Sequence, residues 1–120
     1  MPAKQFAFPK ARRITTSSEF ARVKESGRAQ RGLLLLLSVL KVSDENLFRA
    51  GFVTWRALGG AVVRNRVRRR LREIVRKHQR QMISGIWIVT IARANAAAAS
   101  YHELEAEWLR LAKRASILAA

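Results

Sequence analysis

Residues 61–80, Ala61-Val62-Val63-Arg64-Asn65-Arg66-Val67-Arg68-Arg69-Arg70-Leu71-Arg72-Glu73-Ile74-Val75-Arg76-Lys77-His78-Gln79-Arg80, carry two patterns at once. Val63, Val67, Leu71, Ile74 and Val75 recur at helical spacing, and at ~100° per residue they fall within one arc of about 120°. Arg68, Arg69, Arg72 and Arg76, with Asn65, fall on the opposite arc, while Arg64 and Arg70 stand at the borders. The segment is expected to be a helix that packs by one side and presents guanidinium groups on the other. Gly59-Gly60 interrupts the preceding pattern and frees the backbone to turn into it.

The flanks of this helix set the fold class. After Ser84-Gly85, the run Ile86-Trp87-Ile88-Val89-Thr90-Ile91-Ala92 is β-branched, aromatic and nearly continuously apolar, which suits a central strand covered on both faces. Before the helix, a strand is expected from about Leu47 to Trp55, and strand–helix–strand implies a crossover between parallel strands. Leu33 to Val42, bounded by Gly32 and the polar run Ser43-Asp44-Glu45-Asn46, reads as a strand forming a hairpin with the one that follows.

Helices close both ends. Thr16 and Glu19 stand three apart as in a capping box, Phe20 and Val23 supply a small apolar face, and Gly27 is placed to end the helix in a left-handed conformation. Ser100 and Glu103 form a second box, and Leu104, Trp108, Leu111, Ala115 and Leu118 mark the buried stripe of a closing helix. The alanine run 96–99 reads as a loop. The class is α+β: a small α-β sandwich in the order α-β-β-α-β-α with a βαβ crossover, residues 1–15 forming a basic N-terminal arm and 16–120 a single domain.

The chain has 120 residues, with 24 Lys and Arg against 8 Asp and Glu, a formal charge of +16. A hydrophobic fraction of 49% supports one modest core and argues against wholesale disorder. No cysteine is present, which excludes a disulfide framework, a thiolate zinc site and a cysteine nucleophile, and fits a reducing cytosol. The longest apolar run, Leu33 to Leu40, is interrupted by Ser38 and is under half of the ~20 residues a membrane span needs. The N-terminal MPAKQFAFPKARR places bases around a few aromatics without a continuous apolar stretch, so no secretory signal is expected.

Such a charge excess promotes binding to polyanions and costs stability through self-repulsion. Residues 61–80 hold nine bases against the single acid Glu73, a net of +8 and half the excess of the whole chain. A merely solvated face mixes both signs. Eight of the nine bases are arginine, whose guanidinium forks phosphate through two parallel hydrogen bonds and stacks on exposed bases. Structured RNA therefore fits better than an anionic membrane, because a membrane-surface helix needs bulky apolar residues free to insert and here the apolar stripe is taken by the core. A basic helix on an α+β sheet does not match the usual major-groove readers of DNA.

Machinery for independent catalysis is not expected. A metallonuclease needs clustered carboxylates or histidines. The acids are Glu19, Glu25, Asp44, Glu45, Glu73, Glu103, Glu105 and Glu107. Only Asp44-Glu45 and the last three are near one another, and they read as turn and helix-surface residues. His78, at the edge of the apolar stripe, and His102, in a first helical turn, read as core or capping residues.

The stretch Gly59-Gly60-Ala61-Val62-Val63-Arg64-Asn65-Arg66-Val67-Arg68-Arg69-Arg70-Leu71-Arg72-Glu73 resembles the RNR motif of the bacterial ribonuclease P protein subunit. Glu19-Phe20 with Val23 and Gly27 resembles that family's first helix, Arg49-Ala50-Gly51-Phe52-Val53 the strand entering the motif, and Ile91-Ala92-Arg93 the strand leaving it. The resemblance covers roughly residues 10 to 115. It implies an α-β sandwich with a left-handed βαβ crossover, an exception to the usual right-handed rule. It also implies a cytoplasmic protein, one copy with one catalytic RNA and without membrane contact, that binds this RNA and the 5′ leader of precursor tRNA. The RNA hydrolyses the phosphodiester bond with Mg²⁺ bound mainly by the RNA, while the protein raises substrate affinity.

Carried onto this chain, the resemblance puts Arg64, Asn65, Arg66, Arg68, Arg69 and Arg72 against the catalytic RNA. Arg12 or Arg13, Phe20, Arg56 and Arg93 fall in or near the leader cleft. The chain departs from the family at Lys24, where a second aromatic is common, in the leucines 33–37, where the first strand usually has an aromatic, and at Trp55-Arg56, where members commonly show Ser-Lys. The alternative expectation is a structural RNA-binding protein of ribosomal type, without a nuclease role.

Overall fold

The structure is a computed structural model that describes residues 13–42 and 48–119. Arg12, Ser43, Asp44, Glu45, Asn46 and Leu47, named above, lie outside the described residues. Among those described, the elements run α1 (Ser17–Ser26), β1 (Arg28–Arg31), β2 (Leu35–Lys41), β3 (Arg49–Thr54), α2 (Ala61–Lys77), β4 (Ile86–Ala92) and α3 (Tyr101–Arg114). Short 3-10 turns occupy Arg56–Leu58, Gln79–Gln81 and Ala94–Ala98. The class is the expected α+β sandwich, with one strand more than the sequence suggests.

The sheet order is β1-β2-β4-β3. Strand β4 runs parallel to β3, as the βαβ reading requires, and antiparallel to β2. The expected hairpin between β2 and β3 is therefore not formed, because β4 enters between them. The reason lies in β4 itself, whose residues are all buried except the half-buried Ile91; such a strand needs a paired neighbour on each side. The hairpin that does form joins β2 to β1, closed by the Gly32 amide donating to the Leu35 carbonyl at 2.8 Å. Strand β1, Arg-Ala-Gln-Arg, is a polar edge strand and carries no apolar alternation to announce it.

Helices α2 and α3 cover one sheet face, burying Leu35, Leu37, Ile86, Ile88, Leu71, Ile74 and Trp108 in the main core. The Trp108 indole donates to Thr90 Oγ1 at 3.2 Å, which satisfies two polar groups inside that core. Helix α1 packs on the other face, where Ile14, Val23, Val42, Trp87 and Val89 form a smaller cluster.

Both capping boxes are present, Glu19 N donating to Thr16 Oγ1 at 3.2 Å and Glu103 N to Ser100 Oγ at 3.1 Å. Gly27 is not left-handed: its φ of −84° is extended. What selects glycine there is space, since a Cβ would lie 2.4 Å from the Val23 carbonyl oxygen and 2.8 Å from that of Val39. Gly59, in contrast, has φ +136° and uses the freedom expected of the glycine pair before α2.

The alanine run is not a loop but part of a 3-10 turn, with Ala96 wholly buried; the small side chains let this turn press against the core. Helix α2 ends at Lys77 and α3 at Arg114. Ala115 and Leu118 thus lie beyond the closing helix, after which Ser116 turns the chain at φ 58° so that Leu118 bridges to Met82.

Candidate nucleic-acid interface

Helix α2 follows most of its expected division, although Val63 of the apolar stripe is only half-buried and Arg68 and Arg76 of the opposite arc are not fully exposed. Val67, Leu71, Ile74 and Val75 are buried, Asn65, Arg66, Arg69 and Arg72 are exposed, and Arg64, Arg68, Arg70 and Arg76 are half-buried. Among the described residues, carboxylates reach this helix only at its C-terminal end, where Arg76 pairs with Glu73 and Lys77 Nζ lies 2.9 Å from Glu105. Among the described residues, none of Arg64, Arg66, Arg68, Arg69, Arg70 and Arg72 has a carboxylate partner.

Neutral acceptors orient three of these cations instead. Arg66 Nη2 donates to the Ala97 carbonyl at 3.2 Å, Arg70 Nη1 to the Ala99 carbonyl at 3.1 Å, and Arg68 to Asn65 Oδ1 at 3.1 Å and Thr54 Oγ1 at 2.5 Å. Such bonds fix the direction of a guanidinium without cancelling its charge. Although Arg72 is exposed as a residue, desolvation of its guanidinium by the surrounding protein, then the charges of Arg13 and Arg68, push it below its ordinary pKa. The larger cause is desolvation, and the like charges of Arg13 and Arg68 add to it in the same direction.

The ridge continues into a cleft at the β3 edge. A hollow of about 200 Å³ is lined by Arg13, Phe20, Gly51, Phe52, Arg68 and Arg72 among others. Arg13 reaches it because the chain before α1 bridges in parallel to Ala50, with the Ile14 amide donating to the Ala50 carbonyl at 2.9 Å. Arg49 secures that segment, pairing with Glu19 and donating through Nη2 to the Arg13 carbonyl at 2.9 Å. Phe20 is half-buried: it packs against the smaller cluster, and its ring lies over Gly51, where a Cβ would approach Cε1 to 2.6 Å. It is core on one side and cleft wall on the other.

Arg93 is exposed beyond β4, its Nη1 donating to the Gly32 carbonyl at 2.6 Å, and it borders a second hollow of about 330 Å³. Arg56, exposed at the start of the 3-10 turn after β3, lines neither hollow. The structure thus brings Arg13, Phe20, Arg68 and Arg72 together, and sets Arg93 apart from them.

Glu107 departs from its helix-surface reading. It is 5% exposed, and its carboxylate accepts from the backbone amides of Leu34 and Leu35. Charge pattern alone could not reveal this, since its partners lie more than 70 residues away. His78 caps α2 and lies 2.9 Å from Glu105.

Among the described residues no three histidine, aspartate or glutamate side chains gather where a metal could bind. Glu19, Glu73, Glu105 and Glu107 are each engaged by bases or amides. This donor set does not fit a protein-held Mg²⁺. No helix among the described residues is long and apolar enough to cross a membrane.

The family model described as Ribonuclease P matches residues 8–116. The chain belongs to the ribonuclease P protein family. Curated relatives include a ribonuclease P protein component of Syntrophomonas wolfei, 38% identical over 92% of each chain, and one of Acidothermus cellulolyticus, 44% identical over 88% of this chain and 89% of that one. Among solved structures, the RNase P protein of Staphylococcus aureus superposes with a TM-score of 0.85 at 25% identity, covering 91% of this chain and 99% of that one. That of Thermotoga maritima shares the fold, with a TM-score of 0.76 at 24% identity over 85% of this chain and 96% of that one. In this ribonuclease P protein family member, the segment matched to the family runs from before the cleft to beyond α3.

Proposed function

We propose that this chain is the protein subunit of a ribonuclease P holoenzyme, acting in the cytoplasm as one protein with one catalytic RNA. On this reading Arg64, Asn65, Arg66, Arg68, Arg69 and Arg72 dock on that RNA. Arg13, Phe20, Arg56 and Arg93, with Arg12 from outside the described residues, serve the 5′ leader of precursor tRNA. The RNA supplies the hydrolytic centre and the Mg²⁺, a reading supported by the engagement of Glu19, Glu73, Glu105 and Glu107 with bases or amides.

The observation that carries the reading is the sharing of Arg68 and Arg72 between the α2 ridge and the cleft beside Phe20. A surface built this way can hold a structured RNA on the helix and pass a single strand along its flank. Guanidinium groups set by neutral acceptors keep their full charge for phosphate, and an aromatic ring beside them offers a stacking surface to an unpaired base.

The deciding experiment is reconstitution. The protein is added to a bacterial ribonuclease P RNA at low Mg²⁺ and 5′-leader removal from precursor tRNA is measured. Strong stimulation is expected. RNA binding without stimulation would overturn the reading and leave a structural RNA-binding protein of ribosomal type.

A further inference from the structure

The sheet face that carries the Phe20 ring continues past α1 without cover. Side chains alternate along a strand, so Gly51, beneath that ring, shares its face with Val53 and, just beyond the strand, with Trp55. On β4 the same face runs Val89, Ile91, Arg93. The register places Leu36 and Val53 on either side of Ile91, and Arg31 opposite Leu36. Leu36, Val53 and Ile91 are only half-buried, whereas Trp87 and Val89, in the cluster with α1, are buried.

Over this uncovered floor stands Trp55. It is 60% exposed, against 6% for Trp87 and 0% for Trp108. The hollow beside it, about 330 Å³, is lined by Arg31, Leu36, Trp55, Leu58, Ile91 and Arg93 among others. An indole left in water at the rim of an apolar floor forgoes its burial energy unless a partner covers it. The arginines at that rim define the partner's charge. An apolar peptide would leave Arg31 and Arg93 unmatched on a chain already at +16. A flat ring carried on a phosphate backbone satisfies both halves of the site, the ring against indole, Leu36 and Ile91 and the phosphates on the guanidinium groups.

We infer that Trp55 is a base-stacking residue that holds one unpaired nucleobase of the leader. The inference rests on the leader reading above and adds a second stacking position, about 13 Å along β3 from Gly51 and the Phe20 ring. Because stacking grows with ring area, adenine at the contacted position binds more tightly than uracil.

The test uses the reconstituted holoenzyme with precursor tRNA and mature tRNA as paired ligands. Trp55→Ala is expected to weaken precursor binding by roughly 5- to 150-fold, the loss of one stacked base, and to leave mature tRNA binding unchanged. Trp55→Phe, which keeps a ring, is expected to recover most of the loss. Single abasic substitutions along the leader should identify one position whose removal matters to the wild type and not to Trp55→Ala. If Trp55→Ala keeps full preference for precursor over mature tRNA, or weakens both equally, the role of Trp55 is overturned while the leader reading stands. If the wild-type holoenzyme itself binds both RNAs equally, it is the leader reading that falls.

Discussion

Glu107 Oε2, on α3, accepts a hydrogen bond from the Leu35 backbone amide at 2.7 Å and a second from that of Leu34 at the same distance. The carboxylate is buried beneath the β1–β2 turn, where Gly32 passes so close that a Cβ would lie 2.6 Å from it. The carbonyl of that glycine receives Arg93 Nη1. A carboxylate on the closing helix thus sets the turn, and the turn orients an arginine just beyond the C-terminal end of β4.

Removing this carboxylate leaves two backbone donors without a charged acceptor. Glu107→Ala is expected to lower unfolding free energy by about 2–4 kcal/mol, read as a lower urea midpoint with an unchanged slope. Glu107→Gln, which keeps a neutral acceptor, should lose less. Equal midpoints for wild type and Glu107→Ala would show that the turn does not depend on this anchor.

Gly51 lets the Phe20 ring lie on the sheet. In Gly51→Ala the new methyl would meet Cε1 and Cζ of that ring at 2.6–2.7 Å and Ile14 Cβ at 3.1 Å. Overpacking of this kind costs roughly 1–3 kcal/mol, and relief requires the ring to move off the cleft wall. We expect reduced stability together with weaker binding of leader-bearing precursor relative to mature tRNA. A variant as stable and as selective as the wild type would place the ring elsewhere.

Arg68 and Arg69 separate two kinds of contribution. Arg69 is exposed, whereas Arg68 is half-buried and bonded to Thr54 and Asn65. Arg69→Ala should reduce the slope of log affinity against log salt by about 0.7–0.9, the release of one counterion, with the melting temperature unmoved. Arg68→Ala should reduce the slope similarly and also lower the melting temperature. If neither slope changes, these side chains do not reach phosphate.

Acid should loosen the docking of α1. Burial works to raise the Glu19 pKa, but the Thr16 and Thr15 amides and the Arg49 guanidinium outweigh it, so the carboxyl lies below its ordinary value of 4.5. With the folded value below the unfolded one, the unfolded chain binds more protons between the two. The stability conferred by Glu19 is therefore complete above about 4.5 and is lost as pH falls through the folded value. In urea titrations from pH 7 to pH 3, Glu19→Gln should show a smaller acid-induced drop in midpoint than the wild type. Identical drops would remove Glu19 from the account.

Both capping boxes, the two faces of α2 and the buried character of β4 could be read from the chain alone. Each is set by residues within a few positions of one another: a cap and its third residue, a stripe at helical spacing, a run of β-branched side chains. The cationic ridge was legible for the same reason, since one helix carries all of it. Tertiary structure alone decided that β4 enters between β2 and β3, that polar Arg28–Arg31 is a strand, and that Glu107 is an internal anchor. It also decided that Phe20 shares a cleft with Arg68 and Arg72 and that Trp55 stands beside Arg93. These relationships depend on hydrogen-bond pairing and burial between segments distant in the chain. Only the assembled sheet, whose edges and faces are unequal, determines which polar group meets water and which meets a partner.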